Sequence, residues 1–89
     1  MRVSRFRTVM ELYGSVGLVI KGRKVADGIE IKACDVATKA EMAVYKRMDD
    51  GALFLLSSNV SEQVLANRVY PNVIESAGNV ERALDTAGV

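Results

Sequence analysis

Residues 42–56, MAVYKRMDDGALFLL, contain two runs suited to β-strands on either side of a turn signal. The runs Met42 to Met48 and Ala52 to Leu56 are rich in residues that pack well on a pleated sheet. Between them, Asp49-Asp50-Gly51 supplies the acidic residues and the glycine that tight reversals favour. We therefore predict a β-hairpin whose second strand is buried.

Two further strands are predicted on the amino-terminal side of this hairpin. From Arg5 to Tyr13, apolar and charged residues alternate with the period of a half-buried strand. Val16 to Ile20 is almost wholly apolar, which is typical of a central strand covered on both faces. Gly22-Arg23-Lys24 is interpreted as the turn that ends this strand.

Residues 25–40 fit two structures. Apolar and small residues recur at spacings of three and four, which favours one helical face: Val25, Ile29, Ala33, Val36, Ala37 and Ala40. Alternatively, residues 29–34 alternate behind the Asp27-Gly28 turn signal, as in a hairpin strand. We favour a helix from about Ile29 to Ala40, because small residues are poor strand formers.

The carboxyl-terminal third predicts two helices separated by a proline. Asn59, with Glu62 three residues later, resembles a capped helix start, and the helix is expected to run at least to Arg68. Pro71 lacks a backbone N–H, so Tyr70 is the predicted boundary. Asn79 is then expected to cap a last short helix, with Val80, Ala83 and Leu84 inward and Gly88 at its end.

Together these elements predict an α/β (α+β) fold. A small, mostly antiparallel sheet of about four strands is expected to be covered by two main helices and a short C-terminal helix. The chain of 89 residues is long enough for one core and too short for two, so residues 1–89 are taken as a single domain. The hydrophobic fraction of 49% with 26% charged residues lies in the globular range.

Charge and cysteine content narrow the function classes. A formal net charge of +1 gives no general field for nucleic acid or an anionic membrane, although Arg2, Arg5 and Arg7 form a weak basic patch. Cys34 is the sole cysteine, which excludes an intrachain disulfide and favours a reducing cytoplasm. Apolar runs stay well short of the ~18–20 residues that span a bilayer.

Catalytic and metal-binding patterns are missing from the sequence. The chain has no histidine and one cysteine, which removes the usual near-neutral base and the common zinc ligand sets. Glycines 14, 17 and 22 lack the spacing of a phosphate-binding loop. An enzyme would need Asp35, Asp49 or Asp50 as its base. Because the usual catalytic and metal-binding patterns are missing, we predict a protein without catalytic activity, cofactor or metal that works by assembly or binding.

One segment resembles a known family. Ala33-Cys34-Asp35-Val36-Ala37-Thr38-Lys39-Ala40 is similar to the first-helix motif of bacterial microcompartment shell proteins, above all the permuted shell proteins of ethanolamine and propanediol utilisation. The similarity continues through a strand from Met42, a reversal at Gly51, the strand Ala52 to Leu56 and the helix start at 59–62. It covers roughly residues 29 to 68.

The resemblance implies a cyclic homo-oligomer, typically a hexamer, that tiles with other shell subunits into a protein shell. Lys39, four residues after Asp35, would be the lysine at the oligomer edge. Asp49-Asp50-Gly51 would correspond to the pore-facing reversal of the unpermuted form. Both strand orders stay open, because either the strand from Arg5 to Tyr13 or a strand from Tyr70 to Ser76 could complete the sheet.

A second hypothesis is a small cytoplasmic binding or regulatory module. Its partner would be an acidic protein or nucleic acid, contacted through basic side chains at Arg2, Arg5, Arg7, Arg23 and Lys24. The near-neutral net charge makes nucleic acid the weaker of these two partners.

Overall fold

A computed structural model describes residues 5–86 of the chain. Within that range, five strands form one antiparallel sheet in sequence order: β1 (Arg7–Leu12), β2 (Leu18–Val25), β3 (Gly28–Asp35), β4 (Glu41–Met48) and β5 (Leu53–Ser58). Each strand therefore pairs with its neighbour along the chain, and β1 and β5 form the two edges of the sheet.

A helical segment follows the sheet. It comprises α1 (Glu62–Val64), a π-helical turn at Leu65–Val69 and α2 (Tyr70–Thr86), which run on without a break. Ser61 caps the amino end, because its side-chain oxygen accepts a hydrogen bond from the Val64 backbone N–H. The helix packs against β2 and β3, and the π turn contacts β4.

The core lies between the helix and one face of the sheet. The register aligns Ile20, Ala33 and Ala43 in one row across β2, β3 and β4, and all three are fully buried. Alternation along the strands brings further apolar residues to the same face. The helix contributes a stripe of buried residues to this core: Val69, Val73, Ala77, Val80 and Leu84.

Gly22 lets the helix approach the sheet closely. A Cβ atom at this position in β2 would lie 2.5 Å from Val80 Cγ1 and 3.4 Å from Leu84 Cδ1. Gly22 is therefore a packing position inside β2, and the turn predicted at Gly22-Arg23-Lys24 is wrong. The turn lies further on, between Val25 and Gly28.

The predicted fold class is wrong in the number of strands and in the number of helices that cover the sheet. The described residues form a five-stranded sheet with one helical run, in place of about four strands covered by two main helices and a short C-terminal helix. The helix predicted from Ile29 to Ala40 is strand β3 followed by a turn. The alternating pattern was the correct one, because Ile29, Ile31 and Ala33 all face the core from a strand.

The helix boundary predicted at Tyr70 is also wrong, because the π turn admits Pro71. Tyr70 donates its backbone N–H to the Leu65 carbonyl, five residues back, which widens the turn just before the proline. In a regular α-helix the proline ring would clash with the carbonyl four residues earlier. The Asn72 side chain satisfies the Arg68 carbonyl through an Nδ2–O hydrogen bond of 2.6 Å.

The remaining helix predictions have mixed outcomes. Asn79, expected to cap a separate short helix, lies inside α2, while Val80 and Leu84 are buried as expected. Gly88 lies outside the described residues. The hairpin of β4 and β5 and the strand near the amino end are confirmed.

Candidate functional site

The helix leaves the β5 side of the sheet uncovered. Five strands spaced about 4.8 Å apart make a sheet roughly 20 Å wide, whereas a helix with its side chains is about 10–12 Å across. The helix packs mainly on β2 and β3, and most side chains of β5 stay exposed. The prediction that Ala52 to Leu56 forms a buried strand is therefore wrong in its burial.

Large apolar side chains are exposed on this side of the molecule. Three belong to β5 and two to the helix, and we call them together the β5 surface: Phe54 (54% exposed), Leu55 (47%), Leu56 (50%), Tyr70 (42%) and Ile74 (50%). This surface wraps around the β5 edge, because Phe54 lies opposite Lys46 on the face away from the helix, whereas Leu55 lies opposite the buried Tyr45 on the helix face. Isolated apolar residues are normal on protein surfaces, but several of them gathered around one sheet edge are typical of an interaction site.

An apolar groove runs between β5 and the helix. Its volume is about 400 Å³. Tyr45 and Tyr70 form part of its wall, with ring centroids 6.0 Å apart and planes inclined by 53°. Burial raises the pKa of Tyr45 above its ordinary value of 10.0, and the neighbouring Tyr70 adds to the rise. The other lining residues are Leu53, Leu55, Glu62, Leu65 and Ala66.

The two edges of the sheet differ in character. β5 carries no charged residue from Leu53 to Ser58, so it lacks the usual protection of an edge strand by lysine or glutamate. β1 carries Arg7 and Glu11, and its pairing with β2 is interrupted by a bulge between Thr8 and Met10. Charges and bulges of this kind discourage the addition of another strand.

Asp35 and Lys39 do not share a helical face. Asp35 ends β3, and its carboxylate organises the following turn by accepting hydrogen bonds from the backbone N–H groups of Ala37 (3.0 Å) and Thr38 (2.9 Å). Lys39 has a φ of 66°, the left-handed region that few non-glycine residues adopt. Its Nζ lies 3.9 Å from a Glu11 carboxylate oxygen on β1.

Arg68 connects the π turn to the sheet. Its Nε donates to the Val16 carbonyl at 2.8 Å and its Nη2 to the Gly17 carbonyl at 2.9 Å. The same Nη2 lies 3.3 Å from Asp35 Oδ1. The pKa of Asp35 is held below its ordinary value of 3.8, chiefly by the Thr38 backbone N–H and further by Arg68, against an opposing effect of desolvation.

Asp49, Asp50 and Gly51 form the exposed reversal between β4 and β5, as predicted. Asp50 Oδ1 accepts a hydrogen bond of 2.9 Å from the Ala52 backbone N–H, and Gly51 has a φ of 95°. These contacts are ordinary turn chemistry. The reversal lies next to the start of β5, so it borders the β5 surface.

The basic residues of the binding-module hypothesis are not gathered into one patch in residues 5–86. Arg23 pairs with Glu30 at 2.5 Å and lies over the Phe6 ring, 4.3 Å from its centroid. Lys24, which follows it in β2, pairs with Asp85 of the helix at 2.7 Å. Consecutive strand residues point to opposite faces, so these two cations are separated by the sheet. Arg2 lies outside the described residues.

Reactive and metal-binding groups are sparse in the described part of the chain. Cys34 is buried within the sheet. Residues 5–86 contain no group of three or more metal-ligating side chains close enough to hold an ion. Over the same residues, no helix has the length and apolar character needed to cross a membrane.

Sequence reasoning identified β5 but missed its exposure. The run Leu53 to Leu56 is apolar on both faces, which is equally typical of a strand covered on both faces and of a strand that another molecule covers. Tyr70 and Ile74 are four residues apart and therefore share a helical face, which was a signal for the second half of the surface. In comparisons with protein-family models, curated proteins and solved structures, the chain has no significant match.

Proposed function

We propose that this chain is a self-associating structural subunit whose copies assemble through the β5 surface. The observation that carries the proposal is the unpaired β5 edge, around which the five apolar side chains of that surface are in contact with water. A surface of this kind is stabilised when another apolar surface removes it from water.

The size of the β5 surface is suited to a modest protein interface. Five large apolar side chains, each about half exposed, present on the order of 500 Å² of apolar area. A standard interface buries about 800 Å² on each partner, with a polar rim around an apolar centre. The exposed reversal at residues 49–51 and Glu62 supply polar groups at the border of this surface.

The test is the molar mass of the protein in solution over a hundredfold dilution, measured by light scattering or sedimentation. We expect a mass above that of the monomer at high concentration. Ile74→Lys, which places a charge within the β5 surface, should lower the mass, while Asn79→Lys, at another exposed helix position, should not. Monomers of the unaltered chain at every concentration would contradict the proposal.

The resemblance to microcompartment shell proteins specifies a larger assembly, in which a cyclic, typically hexameric oligomer tiles into sheets. In that form Lys39 lies at the oligomer edge and Asp49-Asp50-Gly51 borders a pore. Lys39→Ala should then leave the oligomer mass unchanged and remove extended sheets or tubes from electron micrographs. This assembly stays a prediction, and the solution mass separates it from smaller forms.

A further inference from the structure

We propose that the partner of β5 is the β5 strand of a second copy, paired antiparallel about a two-fold axis through Phe54, and that assembly closes at two. This inference rests on the proposed self-association and adds its geometry, its register and its limit. The evidence comes from the outward-pointing backbone groups of β5, from the alternation of side chains in paired strands and from the difference between the β1 and β5 edges of the sheet.

The backbone of β5 is arranged to receive another strand. The Met48 N–H donates to the Ala52 carbonyl at 2.8 Å, so this pair is hydrogen-bonded across the hairpin. Hydrogen-bonded and non-hydrogen-bonded pairs alternate along an antiparallel ladder. The pairs Arg47–Leu53 and Tyr45–Leu55 are therefore of the second kind, and the N–H and C=O groups of Leu53 and Leu55 point to the outer edge.

The alternation of side chains between the two faces of the sheet then restricts the register of a symmetric pair of strands. Side chains that lie directly opposite in a ladder point to the same face, and a two-fold axis perpendicular to the sheet keeps each residue on its own face. Neighbouring residues point to opposite faces, so Phe54 cannot lie opposite Leu55 of the other copy. In every allowed register, one residue of β5 lies opposite its own equivalent.

Phe54 is the residue that best fits this position. It is the centre of the apolar run from Ala52 to Leu56, and pairing about it places Leu53 opposite Leu55 of the second copy. These are the two residues whose backbone groups point outward. The irregularity in the pairing of β5 with β4 lies beyond Leu55, so this register uses the regular part of the strand.

The surroundings of Phe54 are compatible with a second copy. Lys46 lies opposite Phe54 within the sheet, and its charge is paired with Asp27 at 2.6 Å, which limits repulsion across the axis. Because the axis is perpendicular to the sheet, the helices of both copies lie on the same face. They then flank a channel whose floor is formed by Leu53 and Leu55 of both copies, with Tyr70 and Ile74 along its sides.

Assembly stops at two because each copy has one edge suited to pairing. Joining β5 to β5 leaves the two β1 strands at the outer edges of a ten-stranded sheet. The bulge and the charges of β1 discourage further addition. An interface that uses the same surface on both copies is also closed by its symmetry.

The register can be tested with single cysteines. Opposed residues in a non-hydrogen-bonded pair have Cα atoms about 4.5 Å apart, within the range of roughly 4.4–6.8 Å that a disulfide needs. Phe54→Cys should therefore form a disulfide-linked dimer on mild oxidation. Leu55→Cys and Thr8→Cys should not, and the unaltered protein, with its buried Cys34, gives the background.

A matched pair of charged variants tests the surface. Phe54→Glu places a carboxylate opposite Lys46 of its own sheet, and two such carboxylates would lie opposite each other across the axis. Thr8→Glu places a carboxylate opposite Lys21 on the β1 edge. We expect the dissociation constant of the dimer to rise at least about tenfold in the first variant and to be unchanged in the second. Far-UV circular dichroism checks that both remain folded.

The outcomes separate the two proposals. A dimer that crosslinks at residue 54 supports both. A larger oligomer, or a dimer that crosslinks at residue 8 and not at residue 54, overturns the two-fold β5 pairing and leaves self-association standing. A monomer at all concentrations overturns both, and it would direct attention to a strand from another protein.

Discussion

Arg68 and Asp35, which are 33 positions apart in the chain, meet where the π turn contacts the sheet, with Arg68 Nη2 3.3 Å from Asp35 Oδ1. The guanidinium also donates to the Val16 and Gly17 carbonyls, so it joins the helix to the entry of β2 and the end of β3. A planar group with several donors in a fixed arrangement is suited to this role, and a lysine ammonium is not.

Arg68→Ala should lower the free energy of unfolding by about 1–3 kcal/mol, because the Val16 carbonyl loses its donor, and the Gly17 carbonyl and the Asp35 carboxylate each lose one of theirs. Arg68→Lys keeps the charge but loses the planar fork, so it should recover less than half of that loss. Chemical denaturation of the three proteins measures the difference. Equal stability of the alanine variant and the unaltered protein would show that water replaces the guanidinium without loss.

The Asp35 carboxylate should make stability depend on acid pH. Its pKa in the folded protein is lowered from 3.8, so its contribution is fully present above that value. The contribution is lost as the pH falls from 3.8 through the lower folded-state pKa. Asp35→Asn should reduce the pH dependence of the thermal midpoint in that window. A variant with an unchanged acid profile would assign the dependence to other carboxylates.

Gly22 and Gly78 form a matched pair for the packing of helix on sheet. Gly22→Ala should destabilise the protein by about 1–3 kcal/mol, because the added methyl group would overlap Val80. Gly78 lies on the exposed side of α2, where an added methyl group would meet no neighbouring atom within 4 Å. Gly78→Ala should therefore raise stability by up to about 1 kcal/mol through helix propensity. Thermal denaturation measures both, and similar shifts in both variants would contradict the close approach at Gly22.

Lys39 should be replaceable by glycine with a gain in stability. Its φ of 66° is unfavourable for a side chain with a Cβ atom, and its contact with Glu11 is exposed and long. We expect Lys39→Gly to gain about 0.5–1 kcal/mol and Lys39→Ala, which keeps the strain, to change stability little. Chemical denaturation compares the two variants. A loss of stability in the glycine variant would show that the lysine side chain makes a contact that outweighs its backbone strain.

The sequence predicted a strand correctly where the pattern depends only on neighbouring residues. The reversal at Asp49-Asp50-Gly51 is specified by residues next to one another, and the alternation from Arg5 to Tyr13 needs only one covered face. Ile29 to Ala40 was different, because its residues satisfy two periods at once. The choice between them depends on pairing with β2 and β4, which are distant interactions that propensity does not contain.

The predictions of the helix boundary and of the candidate site failed for separate reasons. Proline ends most helices, but a wider turn can admit it, and the side chain of Asn72 adds a hydrogen bond to the Arg68 carbonyl in this turn. The exposure of β5 depends on the path of the helix over the sheet. That path is determined by Gly22 and the stripe of Val73, Val80 and Leu84, so the run from Leu53 to Leu56 could not reveal it alone.

The order of the strands has a consequence during synthesis. Each strand can pair with the strand made just before it, so loop closure is short and the sheet can form early. The helix that covers the apolar face is made after all five strands, from residue 62 onward. Until it leaves the ribosome, the emerging sheet exposes both its apolar face and the β5 edge. This interval is the time at which the nascent chain is most vulnerable to aggregation and most dependent on chaperones.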